Sequence, residues 1–356
     1  MSRHRAPGVC IIGGRRAFVW PAIKGSQLTA YVVRRLVQAV VVLWVIWTLL
    51  FVIYFVVPHD PARLLLGFRA PEEAVEKLQV ALGLDRPVWD QYVQYFSRIF
   101  HEDLGTSFLR SVGRSGAPVS SIVAADVPVD LELGLPAAAL WLLIGVGIGI
   151  LSAWRPGSLR ARSATIFIFS IVSTPTFVLG GLALFISQDL LASNGIHLFA
   201  DADTWIPLHV DPLAWADHLI LPWLTLALVN SAVYARLSRS SLSEVLAEDY
   251  IRTARAKGVS ERRVLFRHAL RAAMTPLMTQ FGIDLGAVLA GAVVVEVVFG
   301  LPGLGLQLIT AVRSEDLPTI QGIALFISAV VVAANLIVDL LYGVVDPRVR
   351  LGAARG

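Results

Sequence analysis

Three lysines, seven histidines and 26 acidic residues are the side chains available for proton, phosphate or metal chemistry in this chain of 356 residues. A phosphate-binding loop needs Gly-Lys followed by Ser or Thr. Lys24, Lys77 and Lys257 follow Ile23, Glu76 and Ala256, so none fits, and the chain is not expected to hydrolyse ATP itself. An intramembrane protease needs a zinc-binding His-Glu-x-x-His helix or a nucleophile with its base. The pair His101-Glu102 has no second histidine at that spacing, and no Gly-x-Ser-x-Gly elbow occurs. Residues 188–218 mix Asp189, Asp201, Asp203, Asp211 and Asp217 with His197, His209 and His218. Pro207 and Pro212 interrupt any regular element there, which favours a solvated acidic loop over a metal site. No catalytic, cofactor-binding or metal-binding residue is therefore assigned.

The remaining charged constellation is "YIRTARAKGVSERRVLFRHALR", residues 250–271, set between two apolar segments. Ser241 and Glu244 have capping-box spacing for a helix carrying Leu242, Leu246 and Tyr250 and running on through Lys257. Gly258 supplies the left-handed residue that ends a helix, and Ser260 is placed to cap the next. The expected product is a helix, glycine turn and helix projecting from the membrane. Its small residues Ala254, Ala256 and Gly258 leave room for a partner's cleft, and its arginines offer charged contacts. A basic loop lying on anionic lipid is the competing reading.

The elements that position this loop are membrane spans. Mean hydropathy is +0.70, 56% of residues are hydrophobic and 16% charged, which is too apolar for an ordinary soluble domain. A hydrocarbon core about 30 Å thick takes roughly 20 apolar helical residues to cross. Six segments qualify: 36–57, 133–154, 164–187, 219–235, 272–295 and 319–345, the fourth short and carrying Pro222. Basic residues in short loops mark the cytoplasmic side. With both termini inside, 22 of the 30 basic residues fall on that side and 19 of the 26 acids on the other. That bias accounts for the pI near 9.4 without nucleic acid. Residues 1–30 lack the apolar core of a cleavable signal peptide, so the first span is retained. Cys10 is the only cysteine, which excludes an internal disulfide.

The organisation expected is a cytoplasmic basic arm at 1–35, a span at 36–57, an external helical segment at 58–130, a five-span core at 131–345 containing the loop 236–275, and a cytoplasmic tail at 346–356. The external segment should hold two amphipathic helices, the second with Trp89, Tyr92, Phe96 and Ile99 on one stripe. "FGLPGLGLQLI", residues 299–309, reads as a turn and re-entry. Asp284 is a candidate for lining the pathway or pairing with a partner chain, and Glu296 for contacting an external protein or forming an external gate, with a helix-packing hydrogen bond as the competing reading for each, because a charge within a span is costly unless it faces a cavity or partner. Asn335 and Asp339 are expected to tie the last span to its neighbours, and Pro136, Pro175 and Gly286 to mark kinks and close packing.

"RTARAKGVSERRVLFRHALR" resembles the cytoplasmic signature loop of the permease subunits of ATP-binding-cassette importers. Arg252, Thr253 and Ala254 stand at its Glu-Ala-Ala positions and Gly258 at its glycine; Arg255, Ala256 and Lys257 complete the wording "RTARAKG", which is similar to the peptide and nickel importer branch. "LGLDRPVWDQY", "DLGTS", "VVVEVVFGLPGLG" and "NLIVDLLYGVVDPRVR" resemble the first of the two permeases of oligopeptide and dipeptide importers. The resemblance implies an all-α, six-span, type I importer permease in a bacterial cytoplasmic membrane, one pore subunit beside a second permease. Two cytoplasmic ATPases using ATP and Mg2+ would grip residues Tyr250 to Gly258, and an external binding protein would deliver substrate. Peptides are the substrate implied, with nickel, glutathione or other small solutes as alternatives and a non-transporting scaffold as the competing class. The arm before the first span and the loop 188–218 fall outside that pattern.

Overall fold

The computed structural model describes residues 9–12, 15–18, 25–56, 63, 71–82, 85–101, 104–107, 116–194, 205–289 and 292–345. Residues 195–204, with His197, Asp201 and Asp203 of the acidic loop, and the tail 346–356 lie outside them. The basic arm contributes a two-stranded antiparallel hairpin, β1 (Val9–Ile12) and β2 (Arg15–Phe18), registered with Val9 opposite Phe18. Apart from one isolated bridge between Thr106 and Pro118, the remaining regular structure among the described residues is helical, as expected.

Helix α1 (Gly25–Phe51) continues through a π-helical stretch, Val52–Val56, and is the first span. The expected external helices are α2 (Glu72–Leu82) and α3 (Val88–Phe100). The aromatic stripe of α3 packs on α1: Phe51 meets Tyr92 edge-on at 5.2 Å and Tyr95 at 5.4 Å, while Trp47 lies 6.3 Å from Phe96. Trp89 stays exposed and stacks on Tyr92 instead.

The core pair is α4 (Val119–Trp154) and α7 (Pro212–Leu246). Both are far longer than the expected spans 133–154 and 219–235, and Pro128, Pro136 and Pro222 are accommodated inside them. The two helices cross in close contact. Gly145 and Gly149 of α4 face α7, where a side-chain carbon on Gly145 would stand 2.5 Å from the Ser231 carbonyl and 2.6 Å from Tyr234 Cβ. Small residues let two helices approach this closely in lipid, where apolar surface alone gives no preference for a neighbour. Trp141 fills the adjacent layer, fully buried and stacked 6.2 Å from Tyr234.

The third span is not one straight helix. α5 (Leu159–Val172) and α6 (Thr176–Phe185) meet at 103° across Ser173, Thr174 and Pro175. Proline cannot donate to the preceding turn, and it disfavours helical geometry in the residue before it. The fifth span is bent too. A helical turn, Glu261–Arg263, and a π-helical stretch, Val264–Ala269, lead into α9 (Leu270–Leu289), which turns by 49° into α10 (Val293–Phe299), so Val295 belongs to a separate helix rather than to the end of the span. After α10 come α11 (Leu304–Arg313) and the last span, α12 (Leu317–Val345). α9 closes on α12 through Gly282, whose added side chain would overlap Val338, and Gly286, 3.0 Å from Ala334 Cβ by the same construction. Among the described residues four helices are long and apolar enough to cross a membrane alone, and counting each bent pair as one span gives up to six.

Candidate coupling loop and intramembrane polar groups

The loop between α7 and the fifth span is built as a seated helix. α7 runs unbroken to Leu246, so Ser241 is not an N-cap; it is buried within α7 and donates to the Ala273 carbonyl at 3.0 Å. The expected capping box is overturned because α7 continues through it. The chain breaks at Ala247 and Glu248, and α8 (Asp249–Ala256) follows. Ile251 is fully buried with Leu242, Val264, Leu265, Ala269 and Ala273, and Ala254 packs against the same cluster. That one apolar face seats α8. Arg252, Thr253, Arg255, Ala256 and Lys257 point outward with Tyr250, whose hydroxyl is pushed above its ordinary value by partial burial and by the Glu248 carboxylate.

Gly258 ends α8 with φ +77°, a left-handed conformation that a Cβ makes costly. Its N–H donates to the Arg255 carbonyl at 2.9 Å and the Val259 N–H to that of Ala254 at 3.2 Å, closing the helix end. Arg255 then spans the turn to Glu261 with two bonds of 2.8 and 3.2 Å. Ser260 takes the N-cap position of the next turn without a side-chain bond. Nothing lies within 4 Å of where a side chain on Gly258 would begin. The outward surface is a small-residue knob ringed by arginines, braced from inside.

The polar residues singled out within the spans fall at three sites. Asp284 accepts from the Tyr234 hydroxyl at 2.8 Å and from Gln280 Nε2 at 2.9 Å, which ties α9 to α7 beside Trp141. Glu296 is fully buried near the end of the molecule away from the coupling loop. It accepts from the Leu306 N–H at 3.0 Å, and Asp130 of α4 accepts from the Leu304 N–H at 3.3 Å. Both acids thus bind the first turn of α11, whose exposed N–H groups and positive dipole end favour negative charge. The glycines of "FGLPGLG" make this possible: Gly300 is left-handed at φ +66°, and Gly303 lies so close to Asp130 and Glu296 that a Cβ would overlap their oxygens. The expected re-entrant turn is there, wrapped around two carboxyl groups. Sequence reasoning singled out Glu296 but not Asp130, whose signal was an acid four residues from Asp126 at the start of an apolar helix. The third site is Asp339, which pairs with Arg35 of α1 at 3.0 Å and accepts from the Tyr31 hydroxyl through its backbone oxygen at 2.8 Å. Asn335 lies one turn away on α12, facing a groove shared with α1. Among the described residues no group of three or more His, Cys, Asp or Glu is placed to hold a metal ion.

Two family models cover this architecture. Residues 145–351, more than half the chain, match the family described as "Binding-protein-dependent transport system inner membrane component", and residues 28–124 match the N-terminal part of such membrane components. The chain belongs to this family. It is a multi-pass permease subunit of ATP-binding-cassette importers. The permease is similar to a chain of Brucella melitensis named for a peptide transport system permease, 40% identical over 324 residues, covering 91% of this chain and 99% of that one. It is likewise 36% identical over 339 residues to the dipeptide transport system permease protein of Escherichia coli K12, covering 90% of this chain and 98% of that one. A third relative, from the same organism and named for a D,D-dipeptide transport system, is 40% identical over 322 residues, covering 85% and 92%.

Proposed function

We propose that this permease forms half of a peptide-conducting pore, with both termini on the cytoplasmic side, paired with a second homologous permease and driven by two separate cytoplasmic ATPases that bind ATP and Mg2+. The observation that carries the reading is α8 itself. Ile251 holds it to the membrane body while Tyr250, Arg252, Thr253, Ala256, Lys257 and Gly258 face away from it. A helix fixed on one face and presenting small and basic groups on the other transmits a push from a protein cleft into α7 and α9, to which its cluster belongs. Closure of the ATPases on ATP moves this knob, and the bends at Pro175 and after α9 are where the spans yield. Asp284 lines the pathway. Glu296, with Asp130, braces its outer gate. The chain itself performs no catalysis. An external binding protein supplies the substrate, and the names of the relatives support di- or oligopeptides.

The test is purification of the tagged chain from its host in mild detergent, with mass spectrometry of what accompanies it. A second six-span permease, ATPase subunits and a binding protein carrying peptide are the expected companions. Recovery of the chain alone removes the coupling reading. A binding protein loaded with a metal complex or another small solute removes only the peptide assignment.

A further inference from the structure

α1 and α12 are pinned together at two levels and stand apart between them. Near the coupling-loop end, Arg35 pairs with Asp339 and Tyr31 donates to the Asp339 carbonyl. Farther along, Trp47 Nε1 donates to Ser328 Oγ at 3.1 Å. Between these pins lies a groove of about 560 Å3, open to one side and lined from Arg35 to Val42 on α1 and from Val332 to Asp339 on α12.

The lining is ordered by depth. Arg35 directly precedes the apolar run 36–57 and holds Asp339 against it, so the pair marks the headgroup end of the groove. Arg35 and Asp339 form the mouth, each side chain 36% exposed. Gln38 and Asn335 lie within the next turn and a half, and Val41, Val42 and Val332 close the deep end. Seven helical residues span about 10 Å, the distance from a headgroup to the upper part of an acyl chain. A charged mouth, an amide layer and an apolar floor in that order match one phospholipid standing in the leaflet next to the coupling loop.

The charges specify which one. Arg35 offers a planar set of donors to a phosphate. Asp339 offers an acceptor to an ammonium. The two lie 3.0 Å apart, so an anionic headgroup would meet a neutralised cation and a repelling carboxylate, whereas a headgroup carrying both charges satisfies both partners. We infer that the groove between α1 and α12 is a binding site for a phosphatidylethanolamine molecule, its phosphate on Arg35, its ammonium on Asp339, its ester carbonyls toward Gln38 and Asn335 and an acyl chain along Val41 and Val332. A primary ammonium has N–H donors for Asp339; a trimethylated one has none. The site does not depend on the transported substrate.

The test is lipid analysis of the full chain, purified in mild detergent with its accompanying subunits and washed until bulk lipid is gone, followed by readdition of palmitoyl-oleoyl phosphatidylethanolamine, phosphatidylglycerol or phosphatidylcholine. The wild type should retain phosphatidylethanolamine and regain thermal stability with that lipid alone. Arg35→Gln should lower its retention roughly tenfold, the loss of one charge-assisted contact. Val41→Trp fills the floor while sparing the ion pair and should do the same. Equal retention in wild type and both variants, rescue by phosphatidylglycerol or phosphatidylcholine as good as by phosphatidylethanolamine, or a Val41→Cys cross-link to another subunit each overturns the assignment.

Discussion

Gly258 is the position where a single side chain separates fold from function. With φ +77° and open space around it, alanine strains the turn by about 1 kcal/mol without a clash. Gly258→Ala should therefore insert normally and keep most uptake, while Gly258→Trp, equally able to fold, should abolish uptake by obstructing the docking cleft; a circular-dichroism melt beside a transport assay separates the two effects. Asp284 permits a similar division. Asp284→Asn keeps an acceptor for the Tyr234 hydroxyl, so the melting temperature should hold while uptake falls at least several-fold. Wild-type uptake in that variant would assign Asp284 to packing alone. Tyr234→Phe removes the bond from the other side and should cost about 1 kcal/mol of stability, read as a melting temperature lowered by a few degrees. Gly258 and Asp284 were legible in the sequence because a charge in an apolar run, and a glycine in a basic one, stand out by type. Asp130 was not, since its role depends on α11 folding back to present N–H groups to it.

Helix seating decides whether the knob transmits force. Ile251→Ala removes the fully buried anchor of α8, a loss of roughly 2–4 kcal/mol of local packing for a core isoleucine. Subunit assembly should survive while ATP hydrolysis in the reconstituted complex loses its stimulation by substrate. At the α4 and α7 crossing, Gly145→Leu has no room against Ser231 and Tyr234, and it should deplete the folded chain from the membrane, measured by protease resistance. The helices α2 and α3 and the glycine end of α8 followed from periodicity and turn chemistry alone. The bends did not. A run of apolar residues from 164 to 187 satisfies the length rule whether or not Pro175 turns it by 103°. Ser241 misled for a related reason: a capping box is a local signal, and α7 keeps its buried hydroxyl occupied by the Ala273 carbonyl instead. The glycine pairs at 145 and 149, and at 282 and 286, were readable as small-xxx-small spacing, but which helix each would face was not.

At the scale of the whole molecule, the described residues hold up to six spans built on the α4 and α7 pair, with α8 at one end and the α10–α11 turn at the other. Composition and span counting exposed this class because lipid admits few alternatives. The partners are written only as surfaces, foremost the outward face of α8, so the central claim is that this face docks an ATPase. The sequence offers a direct test, since Cys10 is its only cysteine. In a Cys10→Ser background, Ala256→Cys should cross-link the permease to an ATPase subunit through a short bifunctional reagent, with a yield that changes when ATP is bound. The same reagent with Ser163→Cys, an exposed position on α5, serves as the control and should give no such product. Absence of an ATPase adduct at position 256 in membranes that contain the assembled transporter would contradict the account.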